Sequence, residues 1–369
     1  RFGDHRLAHR PAPAHPDQQT IHLYSLRPGG HGSAIFEGED RGVHIQIHIQ
    51  INARLRIKGG LKLAGPTVLA FGGNALLLDP HNPATQERTA AAFARAVRML
   101  MDRGEGMVLV HGNGPQVGMI LLRIEATKDC IPPETLDIMV AETQGSIGYL
   151  LCRSMRNEIP EREIAALLTQ VLVDPDDPGF ASPFKPVGPY YAMEEAEGLV
   201  KSQGWRMLET AGKGWRRVVP SPRPQEIIEL HTIMDAVGHG HLIIAGGGGG
   251  IPVIRDECGG LHGIEAVIDK DLTACKLAMA TRAERFVILT DVPHVSTGFG
   301  STSERRIGRM KASRARRLLA QGEFPPGSMG PKVEAAAIFA ERTDLSALIT
   351  NIELLERALG GKAGTWIDP

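Results

Sequence analysis

Thr67-Val68-Leu69-Ala70-Phe71-Gly72-Gly73-Asn74 is the stretch on which the reading of the chain turns. It is a short apolar run that stops at a glycine pair, without the alternation of a half-solvated strand. That pattern predicts a strand buried on both faces. Residues 85–103 then place Phe93, Val97, Leu100 and Met101 on one helical face, with Gly104 as the stop. Met107-Val108-Leu109-Val110 is a second buried-strand candidate, ending at His111-Gly112. Apolar runs return at 164–173, 242–245, 286–289 and 345–349, and helical patterns separate most of them. Strand alternating with helix predicts an α/β fold with a mostly parallel sheet covered on both faces. Ligands of such sheets bind in loops beyond the strand C-termini.

Outward from this body the pattern changes twice. Residues 1–64 are rich in His and Pro and lack the regular periodicity that follows. Seven of the fourteen histidines fall there, but their spacing matches no metal site, so a disordered extension is expected. Within it, residues 43–51 alternate as a half-buried strand would. The stretch lacks the apolar core of a secretory signal. Residues 174–224 carry Trp205 and Trp215 among Pro, Gly, Lys and Arg, with a helical piece at 193–200. Aromatics and a helix predict an ordered excursion from the sheet rather than a loose loop.

A net charge of −1 supplies no global field toward nucleic acid or an anionic membrane. No run of about 18 apolar residues suggests a membrane span. Cys130, Cys152, Cys258 and Cys275 form no C-x-x-C pair. They read as small buried residues of a protein in a reducing compartment.

Three glycine turns follow strand candidates: Gly72-Gly73-Asn74, Gly112-Asn113-Gly114-Pro115, and Gly246 through Gly250. Glycine lets backbone approach closely, and converging N–H groups hold anions. Three such turns in one α/β body point to a nucleotide or phosphoryl site. None matches the Walker A pattern, and the third lacks the layout of a dinucleotide fingerprint. Lysines accompany them: Lys270 between Asp269 and Asp271, Lys332 after Gly327-Ser328-Met329-Gly330-Pro331, and Lys185 in Phe184-Lys185-Pro186. Phosphoryl transfer needs such cations around the moving group.

Together these residues resemble the carbamate kinases of the amino acid kinase family. The resemblance runs from about Thr67 to the C-terminus. It rests on Phe71-Gly72-Gly73-Asn74-Ala75-Leu76, His111-Gly112-Asn113-Gly114-Pro115-Gln116-Val117-Gly118 and Thr143-Gln144-Gly145-Ser146-Ile147-Gly148-Tyr149. Further on come Leu168-Thr169-Gln170-Val171, Lys185-Pro186-Val187-Gly188-Pro189, Gly214 through Pro222, Gly246 through Pro252, Glu265 through Asp271, and Pro326-Gly327-Ser328-Met329. The resemblance implies an open three-layer αβα sandwich over residues 65–369, with a small protruding subdomain at about 174–224. It also implies a cytoplasmic homodimer that uses ATP/ADP with Mg²⁺ and has no metal site built from protein alone. The implied reaction is ATP + carbamate ⇌ ADP + carbamoyl phosphate, usually run toward ATP.

By motif, Lys185, Lys270, Asp271 and Lys332 are expected to be the catalytic residues, with Asp271 orienting the lysines. Gly72, Gly73 and Asn74 would face the phosphoryl group, and Gly112, Asn113 and Gly114 the carbamate end. Gly247, Gly248, Gly249, Thr290, Asp291, Val292 and Met329 would line the nucleotide. Ala70 stands where many sister kinases place a lysine two residues before the first Gly-Gly. Carbamate kinases lack that lysine too, which favours the narrower family. Two other readings stay open: a different amino acid kinase, or a non-catalytic nucleotide-binding protein on the same scaffold.

Overall fold

In the computed structural model the described residues are 32–36, 45–49, 65–72, 83–101, 105–210 and 212–369. The chain divides into two units, residues 1–63 and 64–369. In the first, β1 (Gly32–Phe36) pairs antiparallel with β2 (Ile45–Ile49). That gives the strand read at 43–51 its partner. The rest of the expected disordered extension lies outside the described residues.

The second unit begins with β3 (Thr67–Phe71), α1 (Pro83–Arg98), β4 (Met107–His111), α2 (Gly114–Thr127) and α3 (Leu136–Glu158). There follow β5 (Ile164–Ala166), β6 (Gln170–Val173), α4 (Pro178–Ala181), β7 (Lys185–Tyr191), α5 (Met193–Gln203), β8 (Arg206–Thr210), β9 (Gly214–Val219) and β10 (Pro224–Ile227). The chain continues through α6 (Leu230–Gly238), β11 (Leu242–Ile244), β12 (Ile251–Arg255), β13 (Leu261–Gly263), α7 (Lys270–Ala280) and β14 (Arg285–Leu289). It closes with β15 (Val295–Thr297), β16 (Arg305–Ile307), β17 (Arg309–Lys311), α8 (Ala312–Ala320), α9 (Met329–Thr343), β18 (Ala347–Thr350), α10 (Leu355–Leu359) and β19 (Thr365–Asp368).

The central sheet has eight strands in the order β17-β19-β18-β14-β3-β4-β11-β5. β3 pairs in parallel with both β4 and β14, at the sheet centre. Among the described residues, only the β18–β19 pairing in this sheet is antiparallel. The uninterrupted apolar run of β3 follows from burial on both faces. Val68 and Ala70 face one core with Leu277, Val333 and Phe339, on the side of α7 and α9. Leu69 and Phe71 face the other with Phe93, Val97 and Leu151, on the side of α1 and α3. Ala70 is fully buried, so a lysine there would have to bury its charge in an apolar core.

The run at 164–173 is not one strand. β5 stays in the main sheet beside β11, and β6 joins a second, four-stranded sheet with β10, β12 and β13. The fully buried Thr169 sits at the crossing, where its Oγ1 donates to the Leu167 carbonyl oxygen and accepts from Gly246 N. The excursion is ordered: β7, β9 and β8 form an antiparallel sheet, and α5 covers it through Ala196 and Leu199 beside Tyr191, Trp205 and Trp215. Of the four cysteines only Cys275 is buried; Cys130 and Cys258 are exposed, so the expectation of four core thiols fails. Among the described residues no helix is long and apolar enough to cross a membrane.

Candidate active site

The parallel strands end together, and a cleft of about 450 Å³ opens beyond their C-termini. Gly72 follows β3, Gly112-Asn113-Gly114 joins β4 to α2, and Thr290-Asp291-Val292 follows β14; all line the cleft. Lys185, Gly248, Lys270, Asp271, Met329 and Lys332 line it as well. Gly73 and Asn74 lie outside the described residues. Gly247 and Gly249 are buried just behind the lining residue Gly248.

Two acids organise the cations. Asp269 caps α7: its Oδ1 accepts from Asp271 N at 2.9 Å and Leu272 N at 3.4 Å. Its Oδ2 accepts from Lys185 Nζ at 2.6 Å, which ties the excursion sheet to the head of α7. Asp271, one residue into the helix, is 2% exposed and takes a lysine on each oxygen. Lys270 Nζ donates to Oδ1 at 2.5 Å and Lys332 Nζ to Oδ2 at 3.1 Å. Lys332 also donates to the Ser328 carbonyl oxygen at 3.3 Å, from the first turn of α9 rather than ahead of that helix.

Burial would raise the Asp271 carboxyl, but Lys270 and Lys332 together hold it well below the usual carboxylate range. Burial lowers the Lys270 ammonium, Asp271 opposes this, and Lys332 adds to it. Burial works against Lys332 too, yet Asp271 and Asp269 hold it above the ordinary lysine value. An ammonium has three N–H donors. After these bonds Lys270 keeps two for a ligand and Lys332 keeps one.

The glycine turn is shaped by contact. Gly249 has φ +97°, and a Cβ there would lie 2.1 Å from the Ile268 carbonyl oxygen. Gly248 has φ +67°, and its Cβ would meet Asn113 Nδ2 at 2.1 Å. An L side chain would be strained by the backbone at both positions and would have to displace the Ile268 carbonyl or the Asn113 carboxamide. Buried polar groups hold the turn: Gln144 Nε2 donates to the Gly247 carbonyl oxygen at 2.9 Å, and Thr273 Oγ1 to that of Gly249 at 2.7 Å.

His111 packs behind the turn, 1% exposed. Its Nδ1 donates to the Gly112 carbonyl oxygen at 3.1 Å. Burial pushes the imidazole down from 6.5 to about 4, against that bond, and the charge of Lys270 lowers it further. The unfolded chain binds a proton here between those values and the folded chain does not. Stability from this group is therefore full above pH 6.5 and is lost as pH falls toward 4. Replacing His111 by Leu is expected to flatten that part of the acid slope, a difference of roughly 3 kcal/mol at most. Thermal unfolding of both proteins across this range is the check, and parallel curves would remove the assignment.

His294, Phe299, Glu323 and Phe324 line the cleft without having been singled out from the sequence, and so does Asp269, read there only as a carboxylate beside Lys270. Asp269 was legible as a cap, because an acid before an apolar helix start signals one. His294 and Phe299 follow β14 and Glu323-Phe324 follows α8, two segments that only the fold gathers.

An open parallel sheet with anchored ammoniums and glycine turns at its C-terminal edge is the architecture of a phosphotransferase. The chain belongs to the amino acid kinase family, whose model matches residues 65–351. Its place there is among the carbamate kinases. It is 43% identical to the carbamate kinase of Thermococcus kodakarensis over 81% of this chain and 98% of that one. A carbamate kinase-like protein of Escherichia coli is 44% identical over 81% of this chain and 98% of its own. Among solved structures, the carbamate kinase from Giardia lamblia bound to AMP-PNP matches with a TM-score of 0.75 and 38% identity. That match covers 83% of this chain and 98% of the other.

Proposed function

We propose that the chain transfers a phosphoryl group reversibly between ATP and carbamate, ATP + carbamate ⇌ ADP + carbamoyl phosphate, and runs mainly toward ATP. The observation that carries this is Asp271, a buried carboxylate that fixes Lys270 and Lys332 at one cleft with N–H donors to spare. Lys185 adds a third ammonium from the excursion. The transferring phosphoryl spreads its charge over three oxygens, and ammoniums held in place need no reorganisation to meet it. Gly112, Asn113 and Gly114 take the carbamate end. The turn at Gly247, Gly248 and Gly249 sits by the phosphates, and Thr290, Asp291, Val292 and Met329 lie along the nucleotide.

Among the described residues no group of three or more His, Cys, Asp or Glu is arranged to hold a metal ion. Asp269 and Asp271 are already engaged by lysines. Mg²⁺ would arrive on nucleotide phosphates, and Asp291, which lines the cleft, would be the carboxylate to hold it. The ion would neutralise phosphate charge alongside the lysines.

Formation of ATP from ADP and carbamoyl phosphate, in a coupled assay, tests the reading. Activity with acetylglutamate and ATP instead would shift it to a sister kinase, and nucleotide binding without turnover would leave a binding protein. The four cysteines are free thiols, which suits the cytoplasm. The catalytic unit is residues 65–369, working as a homodimer. Exposed Ile138 and Tyr149 on α3 offer a second copy an apolar face. A chain cut to start at Leu63 is expected to keep full activity and to sediment as a dimer. Lost activity would make the extension part of the domain, and a monomer would remove the dimer.

A further inference from the structure

Thr143 lies on α3 and is 1% exposed. Its hydroxyl has a single proton. That proton goes to the Val140 carbonyl oxygen, 2.8 Å away, an atom that can only accept. The Thr143 oxygen is thus an acceptor toward Asn113, 2.9 Å away, so Asn113 must turn its Nδ2 to it. A carboxamide whose nitrogen is claimed in this way has one orientation. Asn113 is 5% exposed and lines the cleft. It occupies the N-cap position of α2, yet its side chain makes no capping bond. Among the described residues its Oδ1 has no hydrogen-bond partner, and it is not sealed from solvent.

The cleft offers its substrate ammonium donors from Lys185, Lys270 and Lys332, while among its carboxylates Asp269, Asp271 and Glu323 already accept from Lys185, from Lys270 and Lys332, and from Gly298 N. The uncharged Asn113 Oδ1 matches the one part of carbamate that donates, its amino group. We propose that Thr143 is a positioning residue that holds the Asn113 carboxamide with Oδ1 toward the substrate. There Oδ1 accepts an N–H of the carbamoyl group and selects it over an acyl group with a methyl in that place. The inference rests on the carbamate reading of the cleft. Acetyl phosphate carries the same phosphoryl and carbonyl groups but would leave Oδ1 facing carbon. A site built to bond an N–H rejects an analogue that lacks it far more strongly than an apolar pocket rejects a misfit.

The test is ATP formation from ADP with carbamoyl phosphate and, separately, with acetyl phosphate, read as kcat/KM for each donor on the full chain. Wild type is expected to favour carbamoyl phosphate. Asn113→Ala and Thr143→Val are each expected to lose about 10–100-fold of that preference, through the carbamoyl donor. Thr143→Ser keeps the hydroxyl and should keep the preference. A merely structural defect would lower both donors alike. Asn113→Ala leaves the Thr143–Val140 bond intact, so it decides the matter even where Thr143→Val folds poorly. An unchanged preference in Asn113→Ala or in folded Thr143→Val overturns the proposal, as does a Thr143→Ser that has lost it. A wild-type chain making no ATP from carbamoyl phosphate overturns the carbamate reading itself, and this proposal with it.

Discussion

Replacing Lys270 by alanine is expected to lower turnover about 10²–10³-fold, with a smaller change in apparent substrate affinity. The ammonium is held by Asp271 and points two remaining donors toward the cleft. It interacts more strongly with the spreading charge of the transition state than with the ground state, so its loss falls on kcat. Lys332→Ala should behave likewise, because it meets the other oxygen of the same carboxylate. Lys270→Arg should rescue poorly, since a planar guanidinium does not fit a site shaped for a compact ammonium. The pH profile gives an independent readout. Burial and Lys332 lower the Lys270 ammonium, so it sheds its proton at lower pH than a solvated lysine. Activity that needs the charged form should accordingly fade early on the alkaline side. Near-wild-type turnover in Lys270→Ala would remove it from the catalytic set and reopen the binding-protein reading.

Asp271→Ala is expected to destabilise the fold by about 3–5 kcal/mol as well as to abolish most activity. It is 2% exposed, and its two lysine partners have side chains only 12% and 14% exposed. Removing the carboxylate leaves two buried ammoniums without the acid that accepts from both, and Asp269, already bonded to Lys185, is the nearest remaining counter-charge. The carboxyl is held far below its unfolded value of 3.8, so the stability it supplies is present above that pH and lost as pH falls through and below it. The variant should therefore show a shallower acid transition than wild type. On the alkaline side both lysines lose a raising charge, and any residual activity should fade at lower pH. Denaturant unfolding at neutral pH is the first measurement, and a loss under about 1 kcal/mol would mean the triad is solvated rather than buried.

Much of this was legible along the chain, for local reasons. The run of β3 could be read because a strand buried on both faces has no polar alternation. The three glycine turns could be read because close backbone approach leaves few alternatives to glycine. The lysine motifs stood out because their neighbours repeat a family pattern. What stayed illegible was pairing across distance. The run at 164–173 hid a change of sheet, since periodicity records burial and not the partner that provides it. Tertiary packing also decided that Asp271 serves two lysines, one adjacent and one 61 residues on.

The amino-acid sequence by itself determined the class of fold and the family, because each is written in short runs of adjacent side chains. Only the tertiary structure decided which way those groups point. The motif puts Asn113 at the carbamate end but leaves open which way its carboxamide faces. Its orientation is set by Thr143, 30 residues away on another helix, whose single proton is already given to Val140. The direction of a hydrogen bond belongs to the whole network that satisfies it, and that network exists only once the helix and the loop have packed.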